Sequence, residues 1–273
     1  MKELYCVIGN PIAHSLSPIM HTALLEQNHL DASYVPFLIE KQDFTTAIEG
    51  LKALGISGFN VTSPFKEDIL PFLDALDSEA KACGAVNTVV ARNGHWTGYN
   101  TDGIGYLQGL ESIRTINETD QILIIGAGGA SKAIFQALLH HTNASVTVAN
   151  RTLEKAVKMV AGTAHRAISL AEAESQLADF TIVIQTTSSG LTKENAVLPI
   201  QLHDLTVGTI VSDIIYNPAE TPFLKEAKAH GAIIQNGLSM FINQAAIAFE
   251  LWTGIEADRD LMRNSVLKKL GGK

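Results

Sequence analysis

A glycine-rich turn, Gly126-Ala127-Gly128-Gly129-Ala130, constrains this chain more than any other stretch. It follows an apolar run, residues 122–125, that reads as a buried strand. A helical pattern from 131 to about 140 comes next, then a second strand, 145–149, ending in Asn150-Arg151-Thr152. Strand, glycine turn, helix and strand together form the unit that binds a dinucleotide in doubly wound α/β folds. The glycines allow a tight turn and close backbone approach to a pyrophosphate, and the helix start offers free N–H groups to it. An acidic residue about 20 positions on usually takes the ribose 2′-hydroxyl of NAD. Here that place holds neutral Asn150, then Arg151. A guanidinium suits a 2′-phosphate, so the pattern points to NADP(H).

The rest of the chain must supply what the dinucleotide acts on. With 273 residues there is room for two modest domains. The net charge of −8 gives no help in binding nucleic acid or an anionic membrane. No apolar run reaches about 18 residues, so no membrane span is expected. The start, Met1 to Ile8, is interrupted too soon by Gly9-Asn10-Pro11 for a signal peptide. Cys6 and Cys83 read as small hydrophobes in a reducing cytosol. His14 and His21 lack metal-ligand spacing, and no metal site is expected. The chain is thus expected to be cytoplasmic, with a small-molecule partner, no nucleic acid and no membrane, as a monomer or homodimer.

Strand and helix patterns alternate through the first hundred residues, which points to a mostly parallel sheet with helical cover. Ser17-Pro18 reads as a helix cap followed by proline at the first helical position. Arg92-Asn93-Gly94 reads as a hairpin turn. Two long helical patterns, 240–252 and 258–270, close the chain. We expect residues 1–103 and 238–273 to form a substrate-binding and catalytic domain, with the last helices returning to it. Residues 104–237 should form a Rossmann-like NADP-binding domain, with the active site in the cleft between.

Four polar clusters stand at expected strand ends and loops, where sites tend to lie. They are His14-Ser15-Leu16-Ser17-Pro18, Asn60-Val61-Thr62-Ser63-Pro64-Phe65-Lys66, Gly84-Ala85-Val86-Asn87-Thr88 and Gly98-Tyr99-Asn100-Thr101-Asp102-Gly103. Their hydroxyls and amides match a small polyhydroxylated molecule, and Lys66 with Asp102 offers a proton-transfer pair. Each also has a plainer reading. Ser17 and Asp102 serve equally as helix caps, Lys66 as a solvated lysine, Asn60 and Asn87 as loop amides.

Taken in order along the whole chain, these clusters resemble the shikimate dehydrogenase family. Asn150-Arg151-Thr152, Asp213-x-x-Tyr216-x-Pro218, Thr221-Pro222 and Asn236-Gly237-x-x-Met240, followed by Gln244, continue the match. The resemblance implies NADPH-dependent, reversible reduction of 3-dehydroshikimate to shikimate in aromatic amino-acid biosynthesis. It implies that Lys66 and Asp102 are the catalytic pair, and that Ser15 and Ser17, aided by Tyr216, bind the substrate carboxylate. Thr62, Asn87 and Gln244 are implied partners of the ring hydroxyls, with Asn60 shaping the pocket. Gly126, Ala127, Gly128, Gly129 and Ala130 are the implied pyrophosphate loop. Asn150, Arg151, Thr152 and Lys155 are implied at the 2′-phosphate, and Ile214, Gly237 and Met240 beside the nicotinamide.

Three departures stand out. His21-Thr22 stands where family members often carry a basic residue followed by asparagine, with only minor consequences expected. Lys155 holds a place where arginine often gives a second phosphate contact, and lysine is a point charge without the fork. Gln185 stands where asparagine often precedes a Thr-Ser-Ser-Gly stretch. Two alternatives remain open: a catabolic quinate/shikimate dehydrogenase with relaxed cofactor use, and a metabolite sensor that kept the fold. Retention of both Lys66 and Asp102 counts against the sensor.

Overall fold

The computed structural model describes residues 2–192 and 197–271. It divides into two compact units, one of Met1–Gly105 with Ile242–Lys273, the other of Tyr106–Phe241. The second is therefore an insertion within the first.

The first unit begins with β1 (Glu3–Gly9), α1 (Ser17–Gln27), β2 (Ala32–Leu38), α2 (Phe44–Ala53) and β3 (Gly58–Val61). It continues through β4 (Ala75–Leu76), α3 (Ser78–Cys83), β5 (Thr88–Arg92), β6 (His95–Tyr99) and the start of α4 (Asp102–Glu111). Its sheet has the order β2-β1-β3-β5-β6-β4. β1 runs parallel to β2 and β3, β4 runs parallel to β6, and β5 is antiparallel to both neighbours. Antiparallel β5 and β6 follow from the two-residue Asn93-Gly94 turn, where both residues have positive φ (53° and 77°), the geometry that matches strand twist. One face of this sheet buries Phe59, Val61, Phe65 and Ile69 with Phe44 and Ile48 of α2. The other receives the end of α9 (Leu238–Thr253), and α10 (Arg259–Lys269) packs on α1. Trp252 donates from Nε1 to the Val89 carbonyl at 2.9 Å and stacks on Tyr5. Gly58 makes this possible, since a Cβ there would strike the Trp252 indole.

The second unit carries the remainder of α4, then β7 (Gln121–Ile125), α5 (Gly129–His141), β8 (Ser145–Ala149), α6 (Leu153–Val160), β9 (Arg166–Ile168) and α7 (Leu170–Ser175). β10 (Ile182–Gln185), β11 (Ile210–Asp213), α8 (Pro222–Ala229), β12 (Ile233–Gln235) and the first residues of α9 complete it. All six strands are parallel, in the order β12-β11-β10-β7-β8-β9. The order reverses between β7 and β10, where doubly wound sheets bind their ligands. β7 and β10 are buried along nearly their whole length, as strands covered on both faces must be.

Ser17 is not a helix cap: Leu16 holds the N-cap position without a side-chain bond, and Ser17 is the first helical residue, buried. Proline does occupy the first turn. β4 and α7 lie outside the elements that the sequence pattern predicts. β4 has only two residues, but α7 carries a full capping box between Ser169 and Glu172 that the spacing displays.

Candidate active site

Phe65 and Ile69, both fully buried, pin the turn after β3, and the Lys66 carbonyl accepts from the Val86 N–H at 2.8 Å. The Lys66 ammonium then meets the Asp102 carboxylate, Nζ to Oδ2, at 2.5 Å. Asp102 is the first residue of α4, where the free N–H groups of a helix favour negative charge. Its other oxygen, Oδ1, accepts from Asn87 Nδ2 at 2.8 Å. Asn87 also donates to Thr101 Oγ1 at 2.9 Å and accepts from the Thr101 N–H at 2.9 Å. Thr101 Oγ1 in turn donates to the Gln244 carbonyl at 3.0 Å. The backbone of Gln244 can come this close because Gly105 has no Cβ. Asn60 and Asn87 are buried and fully hydrogen-bonded. The carboxylate is thus held on both oxygens, and the amine beside it stays partly open to solvent.

Ser15, Ser17 and Thr62 belong to the same unit. Ser15 Oγ accepts from the Ser17 N–H at 3.3 Å. Thr62 is half-buried at the end of β3, and its methyl lies where a Cβ on Gly9 would sit. Three residues given no role from sequence bind this cluster together: Thr101, Thr88 and Tyr34. The first two stood inside motifs already singled out. Nothing in the sequence marked Tyr34.

In the second unit the glycine turn follows β7. Gly126 has φ 118°, a conformation that disfavours a side chain, and a Cβ there would strike Thr186. Its carbonyl accepts from Ser131 Oγ at 2.6 Å. Gly128 and Gly129 differ from it. Apart from the adjoining residues and the backbone of the helix itself, no protein atom lies within 4 Å of where their Cβ atoms would be, and neither has a positive φ. Nothing in the fold itself demands glycine at these two positions, so the residues fit a pyrophosphate that needs the space. Gly128 caps α5 with no side-chain partner, leaving its first N–H groups available. Asn150 Nδ2 donates to the Thr152 carbonyl at 2.8 Å, while Arg151, Thr152 and Lys155 are exposed. Gly237 lies so close to Ile214 that a Cβ would collide with the Ile214 carbonyl. Met240 is half-buried, and Tyr216 stacks on Phe241 at 4.7 Å. Gln185 is fully buried and ties the loop after β10, donating to the Thr187 and Ser189 carbonyls and accepting from the Thr187 N–H.

Two buried titratable groups shift in opposite directions. Burial pushes the Asp213 carboxyl up to about 6, against the donors Ile215 N–H, Thr221 and Gln185. Burial pushes the His21 imidazole down to about 3. His21 is 1% exposed, stacked on Tyr34, and neither ring nitrogen has a hydrogen-bond partner. Among the described residues no three His, Cys, Asp or Glu side chains cluster as metal ligands. No helix among them is long and apolar enough to cross a membrane.

A doubly wound dinucleotide-type sheet in one unit and a braced lysine–carboxylate pair in the other define an α/β oxidoreductase class. Three family models match: a shikimate dehydrogenase substrate-binding domain over residues 7–89, a shikimate/quinate 5-dehydrogenase over 111–198, and a shikimate 5′-dehydrogenase C-terminal domain over 237–267. A shikimate dehydrogenase (NADP+) of Bacillus cereus is 50% identical over 277 residues, covering 100% of both chains. The crystal structure of shikimate dehydrogenase from Aquifex aeolicus is 41% identical with a TM-score of 0.90, covering 97% of each chain. That of shikimate 5-dehydrogenase from Thermus thermophilus, in complex with NADP(H) and shikimate, is 33% identical with a TM-score of 0.89. It covers 97% of this chain and 99% of its own. The chain belongs to the shikimate dehydrogenase family.

Proposed function

We propose that this protein is an NADP-dependent shikimate dehydrogenase, reversibly reducing 3-dehydroshikimate to shikimate in aromatic amino-acid biosynthesis. The observation that carries this reading is the amine–carboxylate pair, Lys66 on Asp102 at 2.5 Å, with the carboxylate braced by Asn87. Reduction of a ring ketone puts negative charge on its oxygen, which needs a donor within hydrogen-bond reach. Lys66 as ammonium polarises that oxygen and gives it a proton. Asp102 orients the amine. In the reverse direction neutral Lys66 takes the proton from the hydroxyl.

Ser15 and Ser17, with Tyr216, hold the carboxylate of the substrate; Thr62, Asn87 and Gln244 hold its hydroxyls, and Asn60 keeps the pocket wall in place. The nucleotide, when bound, supplies or accepts the hydride. Gly126 to Ala130 would cradle its pyrophosphate, Asn150, Arg151, Thr152 and Lys155 would hold the 2′-phosphate, and Ile214, Gly237 and Met240 would lie on the nicotinamide side. All these residues come from one chain, so the reading requires no partner subunit and accommodates a monomer or a homodimer. Two buried cysteines that form no disulfide suit a reducing cytoplasm.

Absorbance at 340 nm tests the reading, with shikimate or quinate and NADP+ or NAD+ in all four combinations. Turnover should be fastest with shikimate and NADP+. Preference for quinate with NAD+ would assign the chain to the catabolic alternative, and no turnover at all would favour the sensor.

A further inference from the structure

The Lys66–Asp102 pair ends a longer line of buried hydrogen bonds that starts on the far side of β1. Tyr34 Oη of β2 lies 2.7 Å from Asn60 Oδ1 of β3. Asn60 Nδ2 lies 3.0 Å from Thr88 Oγ1 of β5 and 3.2 Å from the Asn87 carbonyl. Thr88 Oγ1 lies 3.1 Å from Asn87 Oδ1, and Asn87 Nδ2 lies 2.8 Å from Asp102 Oδ1. The sheet sets this path: Asn60 and Thr88 are direct partners across β3 and β5. Tyr34, Asn60, Thr88, Asn87 and Asp102 are all buried.

The direction of each bond is forced. The Thr101 N–H can only donate, so it must face Asn87 Oδ1; a carboxylate can only accept, so Asp102 must face Asn87 Nδ2. Thr88, beside Asn87 Oδ1, must then spend its one hydrogen there and can only accept from Asn60. The Asn87 main-chain carbonyl makes the same demand on the Asn60 amide. Asn60 Oδ1 is left facing Tyr34, which must donate. Burial holds the Tyr34 phenol protonated, in keeping with that role, against a side-chain hydrogen bond with Ser17 that favours the ionised form. Every donor in the line therefore points toward the Asp102 carboxylate. Aligned bonds of this kind polarise and strengthen one another.

We infer that Tyr34 and Thr88 are positioning residues for the reaction: through Asn60 and Asn87 they fix the Asp102 carboxylate, and so the Lys66 amine, in one orientation. This inference rests on the proposed function. It assigns roles to two residues outside the proposed substrate-binding set, and it predicts that the line acts as a unit.

The test is a double-mutant cycle with Thr88→Val and Tyr34→Phe, using steady-state shikimate oxidation by the full chain. Each single variant should lower kcat about 10-fold with the KM for NADP+ little changed, about 1.4 kcal/mol in the transition state. The double variant should be no worse than the poorer single, because either change breaks the same line. Thr88→Ser, which keeps the hydroxyl, should restore most of the loss. Additive losses, or a Thr88→Ser variant as poor as Thr88→Val, would overturn the inference while leaving the functional reading intact. A second measurement does not depend on activity. The side-chain amide protons of Asn60 and Asn87 should exchange slowly in the unsubstituted protein and faster in Thr88→Val. Exchange as fast as that of an exposed asparagine would also overturn it. Failure of the unsubstituted protein to oxidise shikimate would count against the functional reading alone.

Discussion

The two units build their sites from different materials. In the first, side chains from β3, the loop before β5, α4 and the turn at Lys66 converge, and each buried polar atom around Asp102 finds a partner. In the second, the working parts are bare backbone: a positive-φ glycine, two glycines facing open space, and an uncapped helix start. A side-chain site is damaged by removing atoms. A backbone site is damaged by adding them.

The largest effect should come from the side-chain site. Lys66→Ala should keep shikimate binding but lose about 10²–10⁴ in kcat, the usual worth of an acid–base group. Turnover near that of the unsubstituted enzyme would remove Lys66 from the chemistry.

A contrast in acid response comes next. In the first unit, the folded-state value for His21, about 3, lies below its unfolded value of 6.5. A histidine held neutral contributes fully above pH 6.5, and that stability is lost as pH falls toward 3, on the order of 5 kcal/mol over the whole range. In the second, Asp213 lies above its unfolded value, 3.8 raised to about 6. Its unfolded form holds fewer protons there, so stability rises as pH falls from 6 to 3.8. Hydrogen exchange at pH 5 against pH 7 should show protection falling around β2 and α1 and rising around β11. His21→Phe should abolish the fall and leave the rise. A uniform response in both units would break the contrast.

The smallest effects should separate the two halves of the cofactor site. Gly128→Val adds atoms where the protein leaves room, and should weaken NADP+ and NAD+ alike by about 1–3 kcal/mol with Tm unchanged. Arg151→Ala should weaken NADP+ alone, by about 1.5–3 kcal/mol, the worth of a charged hydrogen bond. Isothermal titration with both dinucleotides distinguishes them.

The second unit was the more legible in sequence for the same reason. A glycine turn after an apolar run is local, and residues 122–152 carry strand, turn, helix and strand within one window. The Lys66–Asp102 pair spans 36 residues, and residue types alone left both side chains open to a plainer role. Ser17-Pro18 looked like a cap because serine before proline so often is one; only the backbone at Leu16 shows the helix starting a residue earlier in its capping geometry. Tyr34 carries no local signal, because its partner lies two strands away. Sheet order, which no single segment encodes, brings it to Asn60.

Because Tyr106–Phe241 is inserted within the first unit, synthesis imposes an order. The slot over Gly58 stays empty until Trp252 has left the ribosome, after the whole second unit has emerged. Domains tend to fold as units during synthesis, so the later-made sheet can be complete while the earlier-made one still waits for its last two helices.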